Sequence, residues 1–116
     1  MPDKSAVRLL TLDIERAGDT ALVRCHGKLV AGVTDVLYTG VKQLIPVTGR
    51  IVLDLGDLTH MDSTGLGTLA RLYVSSRSGN CDLELMNLGK QVRQLLGITN
   101  MLSAFTVIGE HGMRIG

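Results

Sequence analysis

The sequence predicts an α/β domain: a mixed, mostly parallel sheet with a leading antiparallel hairpin and helices packed against it. Two runs near the N-terminus alternate apolar and polar residues, which is typical of paired strands with one exposed face. Later, short apolar runs alternate with stretches whose apolar residues recur every three to four positions. That order gives strand–helix–strand units, whose right-handed crossovers make successive strands parallel. The predicted order is β-β-α-β-α-β-α-β.

Length and composition fit one domain spanning residues 1–116, because 45 % of the chain is apolar and disorder is not expected. The two ends, residues 1–7 and 110–116, are expected to be loose. A formal net charge of +1 and an aromatic content of 3 % provide neither a basic surface nor stacking rings, so direct nucleic-acid binding is not expected. No apolar run approaches the roughly 20 residues of a membrane span, so we expect a cytoplasmic protein without membrane insertion.

The first two predicted strands form the hairpin. Leu10, Leu12 and Ile14 alternate with polar residues, and residues 17–19 (Ala-Gly-Asp) supply turn chemistry. The alternation resumes over residues 21–26, which are predicted to return antiparallel to the first strand.

Residues 27–32 break this pattern ahead of the first predicted helix. Thr34 is the predicted N-cap of that helix, and Pro46 is predicted to fix its end. The predicted apolar face consists of Val33, Val36, Leu37, Val41 and Leu44.

The next stretch contains the candidate site. It opens with the apolar run Ile51–Leu53, a predicted buried strand, and passes through a predicted polar turn, Asp54–Gly65, into a helix that stops at Gly79. The predicted apolar face of this helix consists of Leu66, Leu69, Ala70, Tyr73 and Val74, and its solvent face of Thr68, Arg71, Ser75 and Arg77. Open α/β sheets usually place their chemistry in loops that leave the carboxyl end of a strand. The turn is therefore the predicted functional site.

Beyond Gly79 the sequence predicts a strand, a short helix and a last strand. The predicted strand contains Leu83, Leu85 and Met86. The predicted helix turns Val92, Leu95 and Leu96 inward and ends near Gly97, and Asn100 is predicted to adopt a left-handed turn conformation. The predicted last strand contains Phe105, Val107 and Ile108.

The turn does not match a hydrolase. A nucleophile elbow needs G-x-S-x-G, and the position two residues before Ser63 is Met61. His60 and Asp62 are close in sequence, and such neighbours seldom converge as members of a triad. Catalytic residues are therefore not predicted.

Metal binding is not predicted either. The three histidines, His26, His60 and His111, lack i, i+4 spacing and are expected to be ordinary surface or strand residues. Cys25 and Cys81 form no CxxC pair, so we expect them to be small buried apolar residues.

The start of the second helix allows two interpretations. Gly65-x-Gly67 with Ser63 and Thr64 could hold an anion through backbone N–H groups, although the lysine of a P-loop is missing. Alternatively, Asp62 or Ser63 caps the helix, and the two glycines permit close packing. No cofactor is predicted.

A third interpretation makes Ser63 a switch. Phosphorylation of a hydroxyl at an exposed helix start would add about −1.5 to −2 charges beside Asp62 and near Asp57. A partner docked over the turn would then bury an unpaired dianion, and binding would be lost without a conformational change.

Residues 53–67 read L-D-L-G-D-L-T-H-M-D-S-T-G-L-G and resemble the signature of STAS domains, specifically of bacterial anti-sigma factor antagonists. Those proteins carry D-S-[ST]-G at the start of a helix after a buried strand. Residues 27–29 (Gly-Lys-Leu) resemble the family's G-x-L turn, and residues 92–105 resemble its terminal V-R-x-L-L…F segment. The resemblance covers nearly the whole chain.

The resemblance implies a non-enzymatic binding module of STAS fold, active in signal transduction and transcription regulation. In the family, a serine kinase that is itself the anti-sigma factor phosphorylates the serine after the aspartate. Ser63 is then the expected phosphorylation site, with Thr64 a lesser candidate. The unphosphorylated antagonist binds this kinase and frees the sigma factor; phosphorylation breaks the complex, and a PP2C-type phosphatase restores it. The expected partner-binding residues are Met61, Asp62, Ser63, Thr64, Gly65 and Leu66.

Within that resemblance, Asp62 would shape and charge the docking turn, and Gly65 would let the partner's backbone approach. One position departs from the family pattern, since Val30 stands where relatives often carry the acidic residue of G-E-L-D. Two rival functions stay open: a subunit that binds an ABC-type transport ATPase, and a domain that binds a nucleotide or another small ligand near Gly65. The sequence does not identify the sigma factor, kinase, stimulus or oligomeric state.

Overall fold

A computed structural model describes residues 9–98, 106–108 and 114–115. The strands are β1 (Leu10–Ala17), β2 (Thr20–Leu29), β3 (Arg50–Met61), β4 (Asp82–Met86), β5 (Thr106–Ile108) and β6 (Arg114–Ile115). The helices are α1 (Thr34–Lys42), α2 (Ser63–Ser78) and α3 (Lys90–Ile98), with a 3₁₀ helix at Ile45–Val47.

Some expectations fall outside this part of the chain. The loose N-terminus (residues 1–7), Asn100, Phe105 and His111 lie outside the described residues. Within the C-terminal segment that was expected to be loose, residues 114 and 115 form β6.

The described strands form one sheet in the order β1-β2-β3-β4-β5-β6. β1 and β2 pair antiparallel, which confirms the predicted hairpin, and its two-residue loop begins at Gly18 with a φ of +61°. From β2 to β5 every pairing is parallel, as predicted, and β6 returns antiparallel to β5. The mixed, mostly parallel sheet is thus confirmed.

The core lies between one face of the sheet and the helices. Val23, Leu53 and Leu85 are aligned across β2, β3 and β4, and all three are fully buried in one cluster. The same cluster includes the helix residues Leu37, Val41, Leu69, Leu72, Val92 and Leu96. Val52 and Glu84 belong to the opposite face of the sheet; Val52 is only 4 % exposed but lies outside that cluster. The helices therefore cover one face.

The second face of the sheet is protected by charged side chains rather than by helices. The guanidinium of Arg50 contacts the Glu84 carboxylate on the neighbouring strand, with N–O distances of 2.6 and 2.8 Å. Long side chains of this kind cover apolar surface with their methylene groups while keeping their charges solvated or paired. This arrangement accounts for the burial of Val52 on a face that none of the described helices covers.

β3 is longer than predicted, which corrects the predicted polar turn over residues 54–65. The strand runs on to Met61, where it still pairs with Leu29 of β2. β4 pairs only with residues 50–54, so the second half of β3 has one edge without a described strand beside it. Polar residues suit such an edge, which is why their presence in the sequence indicated a loop.

α1 begins differently from the prediction. Its N-cap position is Val33, and Thr34 makes no capping hydrogen bond and is buried. Val36, predicted to face the core, is 43 % exposed. The helix ends at Lys42, and Pro46 lies in the 3₁₀ helix that follows, where its fixed φ and missing N–H are tolerated.

The buried face of α2 is also rotated relative to the prediction. Thr68, expected in solvent, is 1 % exposed, because its hydroxyl donates to the Thr64 carbonyl at 3.0 Å and leaves no polar atom unpaired. Val74, expected in the core, is 62 % exposed. Leu72 takes its place in the core, and the predicted stop at Gly79 is confirmed as the C-cap.

No helix in the described part of the chain is long and apolar enough to cross a membrane.

Candidate functional site

The predicted site residues gather where β3 meets α2. β3 ends at Met61 and α2 begins at Ser63, so a single residue, Asp62, connects the strand with the helix. Because Met61 pairs with Leu29, the carboxyl ends of β2 and β3 lie side by side at this point. The site is therefore a short, tightly connected corner at the carboxyl edge of two parallel strands.

Asp62 fixes this corner through both oxygens of its carboxylate. As the N-cap of α2 it accepts a hydrogen bond from the Gly65 backbone N–H at 2.9 Å through Oδ1. Oδ2 accepts from the Ala31 N–H at 3.0 Å, in the loop between β2 and α1. The Ala31 N–H, followed by the Gly65 N–H, lowers the pKa of this carboxyl because both bonds favour the charged form. Asp62, not Ser63, is thus the cap.

Ser63 is the first residue of α2, and its side chain is exposed. Its hydroxyl makes no hydrogen bond to any residue that the structure describes, and within that part of the chain it is open to another molecule. Thr64 is exposed as well. The structure therefore presents two adjacent hydroxyl-bearing residues on a rigid helix start.

Three of the expected partner-binding residues are buried: Met61, Gly65 and Leu66. A Cβ added to Gly65 would lie 2.2 Å from the Leu29 carbonyl oxygen and 2.9 Å from side-chain carbons of Leu29 and Met61. Gly65 therefore permits the approach of its own chain's β2. We expect these three residues to support the surface formed by Asp62, Ser63 and Thr64.

Gly67 differs from Gly65, which corrects the expectation that both glycines serve close packing. Gly67 is exposed, and a Cβ added there would meet no atom within 4 Å. Close packing therefore requires glycine at position 65 but not at position 67.

The extension of β3 moves Asp57 away from the helix start. Five residues of extended chain separate it from Asp62, which is roughly 16 Å at about 3.3 Å per residue. Asp57 instead contacts Nδ1 of His26 at 2.8 Å, and Asp13 approaches Nε2 of the same ring at 3.2 Å. The expected proximity of Asp57 to Ser63 is therefore wrong, since the strand does not fold back.

The corner lacks the geometry of a nucleophile activated by a base. His60 is exposed on β3 and makes no hydrogen bond with Ser63 within the described chain. The described residues also contain no group of three or more His, Cys, Asp or Glu side chains placed to hold a metal ion. Cys25 and Cys81 are free and buried, as predicted, and burial raises the pKa of the Cys25 thiol to about 12.

The contribution of Ala31 had no signal in the sequence. Its role comes from a backbone N–H, which every residue except proline carries, so residue type gives no indication of it. Val30, the position that departs from the family pattern, is half-buried and directly precedes this loop residue.

The chain is similar to known proteins along most of its length. A family model described as STAS domain matches residues 11–112. The STAS-domain containing protein PA14_20770 of Pseudomonas aeruginosa (strain UCBPP-PA14) is 26 % identical over 90 residues, which cover 78 % of this chain and 89 % of that protein.

Solved structures of anti-sigma factor antagonists are similar too. One from Mycobacterium paratuberculosis has a TM-score of 0.75 at 18 % identity and covers 84 % of each chain. Unphosphorylated SpoIIAA has a TM-score of 0.72 at 17 % identity and covers 84 % of this chain and 87 % of its own. Phosphorylated SpoIIAA from Bacillus has a TM-score of 0.68 at 16 % identity, with 84 % and 90 % covered. At these identities the likeness is one of fold.

Proposed function

The chain belongs to the STAS domain family, and on that premise we propose that it is an anti-sigma factor antagonist switched by phosphorylation of Ser63. The observation that carries this proposal is the exposed side chain of Ser63 on the first residue of α2, beside the carboxylate of Asp62 that two backbone N–H groups fix. An antagonist solved in both unphosphorylated and phosphorylated forms has the same fold, which supports a switch of this kind.

The chemistry needs nothing from this chain except an acceptor. The Ser63 oxygen attacks the γ-phosphorus of ATP held by the kinase, a new O–P bond forms, and the bond to ADP breaks. The hydroxyl proton passes to a base of the kinase. The PP2C-type phosphatase reverses the state by hydrolysis, which returns the hydroxyl and releases phosphate.

The switch acts on binding rather than on the fold. Asp62 is already ionised and fixed by two N–H groups, so a phosphate on Ser63 places a second anion next to the first. The helix N-terminus favours the phosphate while Asp62 opposes it, and the fold changes little. A partner packed over this corner would have to bury about two uncompensated negative charges. The complex with the anti-sigma kinase therefore dissociates.

The test is intact-mass spectrometry after incubation with ATP, magnesium and each anti-sigma kinase of the same cell. We expect one added phosphate on the wild-type chain, none on Ser63→Ala, and one on Thr64→Ala. Loss of the phosphate in Thr64→Ala but not in Ser63→Ala would assign the lesser candidate instead. No phosphate with any kinase would overturn the proposal.

A binding experiment separates the switch from its rivals. Ser63→Asp should bind the cognate anti-sigma factor more weakly, whereas Ser63→Ala should bind it and resist ATP-dependent release. Equal affinity of Ser63→Asp and wild type would place Ser63 outside the interface. Copurification with an ABC-type ATPase, or tight nucleotide binding without a kinase, would instead favour one of the two rival functions.

A further inference from the structure

A groove lies between α1 and α2, well away from the helix start. Two adjoining hollows of about 370 and 520 Å³ share Val74 and Ser75. Along α2 the groove extends from Ala70 to Gly79, and its other wall runs from Tyr38 to Pro46. We call this surface the α1–α2 groove. Eleven residues separate Val74 from Ser63, about 16 Å at 1.5 Å per residue, so the groove is distinct from the switch.

The floor of the groove is apolar at its centre. Val74 is 62 % exposed, and it is one of the few large apolar side chains in the described chain with that degree of exposure. Ile45 and Pro46 line the same hollow at the far end. The groove is shallow and open, so an exposed valine beside Pro46 offers apolar surface to a partner laid across it rather than to a ligand enclosed within it.

Two cations stand on the walls of the groove. The guanidinium of Arg71 lies 4.5 Å from the centre of the Tyr38 ring, and the ammonium of Lys42 lies 5.4 Å from it. Lys42 also donates a hydrogen bond to the Tyr38 hydroxyl at 3.2 Å. Neither cation has a carboxylate partner within the described chain, although other cations such as Arg24 and Arg50 do.

Charge decides which occupant fits the groove. A second copy placed symmetrically would bring the same two cations against each other, and like charges in an interface are costly. A membrane surface typically selects clusters of four to eight basic residues, and the groove presents two cations. An amphipathic helix with apolar and acidic residues would satisfy both the floor and the walls.

We propose that the α1–α2 groove is a second docking surface, which binds an acidic amphipathic helix of a partner protein. Apolar residues of that helix contact Val74 and Pro46, which are both exposed, and its carboxylates pair with Lys42 and Arg71. The exposed part of α2 from Ala70 to Ser78 is about 12 Å long, which accommodates roughly two turns of a docked helix.

The test is an NMR titration of the full chain with two synthetic peptides. The first has leucine at helical positions i, i+3, i+4 and i+7 and glutamate elsewhere; the second replaces every glutamate by lysine. We expect the acidic peptide to shift amide signals of residues 38–46 and 70–79 and to bind more weakly as salt increases. The lysine peptide should leave these signals unchanged.

Matched variants make the result specific. Arg71→Glu and Val74→Asp should each weaken binding of the acidic peptide about fivefold to tenfold. Arg77→Glu reverses the charge of another exposed arginine on α2, over the Tyr73 ring at 5.9 Å and outside the groove, and should change the affinity less than twofold. Because all three positions are exposed, thermal unfolding should be nearly unchanged.

Several outcomes would overturn the proposal. These are the absence of shifts at millimolar acidic peptide, equal binding of the lysine peptide, and equal weakening by Arg71→Glu and Arg77→Glu. Binding of the chain to phosphatidylserine vesicles that Arg71→Glu abolishes would assign the groove to a membrane surface instead. Phosphorylation of Ser63 is measured separately, so failure here leaves the proposed switch unaffected.

Discussion

The contact between Gly65 and β2 allows a sharp test of how the site is built. In Gly65→Ala the new Cβ would lie 2.2 Å from the Leu29 carbonyl oxygen, against a lower limit of 3.0 Å for such contacts, so the start of α2 must move by at least 0.8 Å. Overpacking of this kind costs about 1–3 kcal/mol. Alanine in a helix recovers up to about 1 kcal/mol. The two effects together leave a net destabilisation of about 0–3 kcal/mol, and we expect a value near the middle of that range, about 1.5 kcal/mol.

Gly67→Ala is the matched control, because it adds the same methyl group two residues later where no atom lies within 4 Å. It should stabilise the chain by about 0.5–1 kcal/mol. Urea unfolding followed by circular dichroism measures both variants, and their midpoints should differ by about 1 M, with the two variants on opposite sides of the wild type. If Gly65→Ala is as stable as Gly67→Ala, the close approach to Leu29 does not exist as described.

Three further predictions concern other parts of the structure. Asp62→Ala should have a lower free energy of unfolding than the wild type near neutral pH. Because the folded-state pKa of Asp62 is lowered, its carboxylate contributes its full stabilisation above the ordinary pKa of 3.8 and loses it as the pH falls through the folded-state pKa. A constant difference in unfolding free energy from pH 7 to pH 2 would contradict this prediction. Burial raises the pKa of the Cys25 thiol to about 12, so only about one thiol in 10⁴ is ionised at pH 8 in the folded chain, and we expect it to resist a thiol reagent there. In guanidinium it should react fully. Rapid labelling of the folded variant Cys81→Ala would show instead that Cys25 is accessible. Leu69→Ala should lower the free energy of unfolding by about 2–5 kcal/mol because Leu69 is fully buried, whereas Val74→Ala should change it by less than about 0.5 kcal/mol because Val74 is exposed. A large loss of stability in Val74→Ala would mean that the α1–α2 groove is already filled.

The fold was predictable where one pattern dominated. The alternation in β1 and β2 predicted the hairpin, and the apolar run at Ile51–Leu53 predicted the start of β3. The predicted polar turn over residues 54–65 was wrong because β3 extends beyond the end of its neighbour β4. Several residues between 54 and 61 are polar and exposed because β4 ends early, and that information lies in another segment of the chain.

The site was predictable to a similar degree. The residues at the start of α2 are those that the motif indicates, and Asp62 is the cap. The sequence could not show that the same carboxylate also holds the Ala31 N–H, because backbone donors carry no residue-specific signal. It also placed Val74 inward, since a periodic pattern fixes which residues share a face but not where the neighbouring helix lies.

The order of the strands has a consequence for synthesis on the ribosome. Each described strand pairs with the one made just before it, so the growing sheet extends at one edge from the N-terminus onward. Among the described strands, none has to insert between two that are already paired, and none pairs with a strand from a distant part of the sequence. Folding during translation, which proceeds from the N-terminus at about 5–20 residues per second, can therefore follow the same path as the finished topology. The growing sheet then adds strands at one advancing edge, while the outer edge of β1 has no described strand beside it.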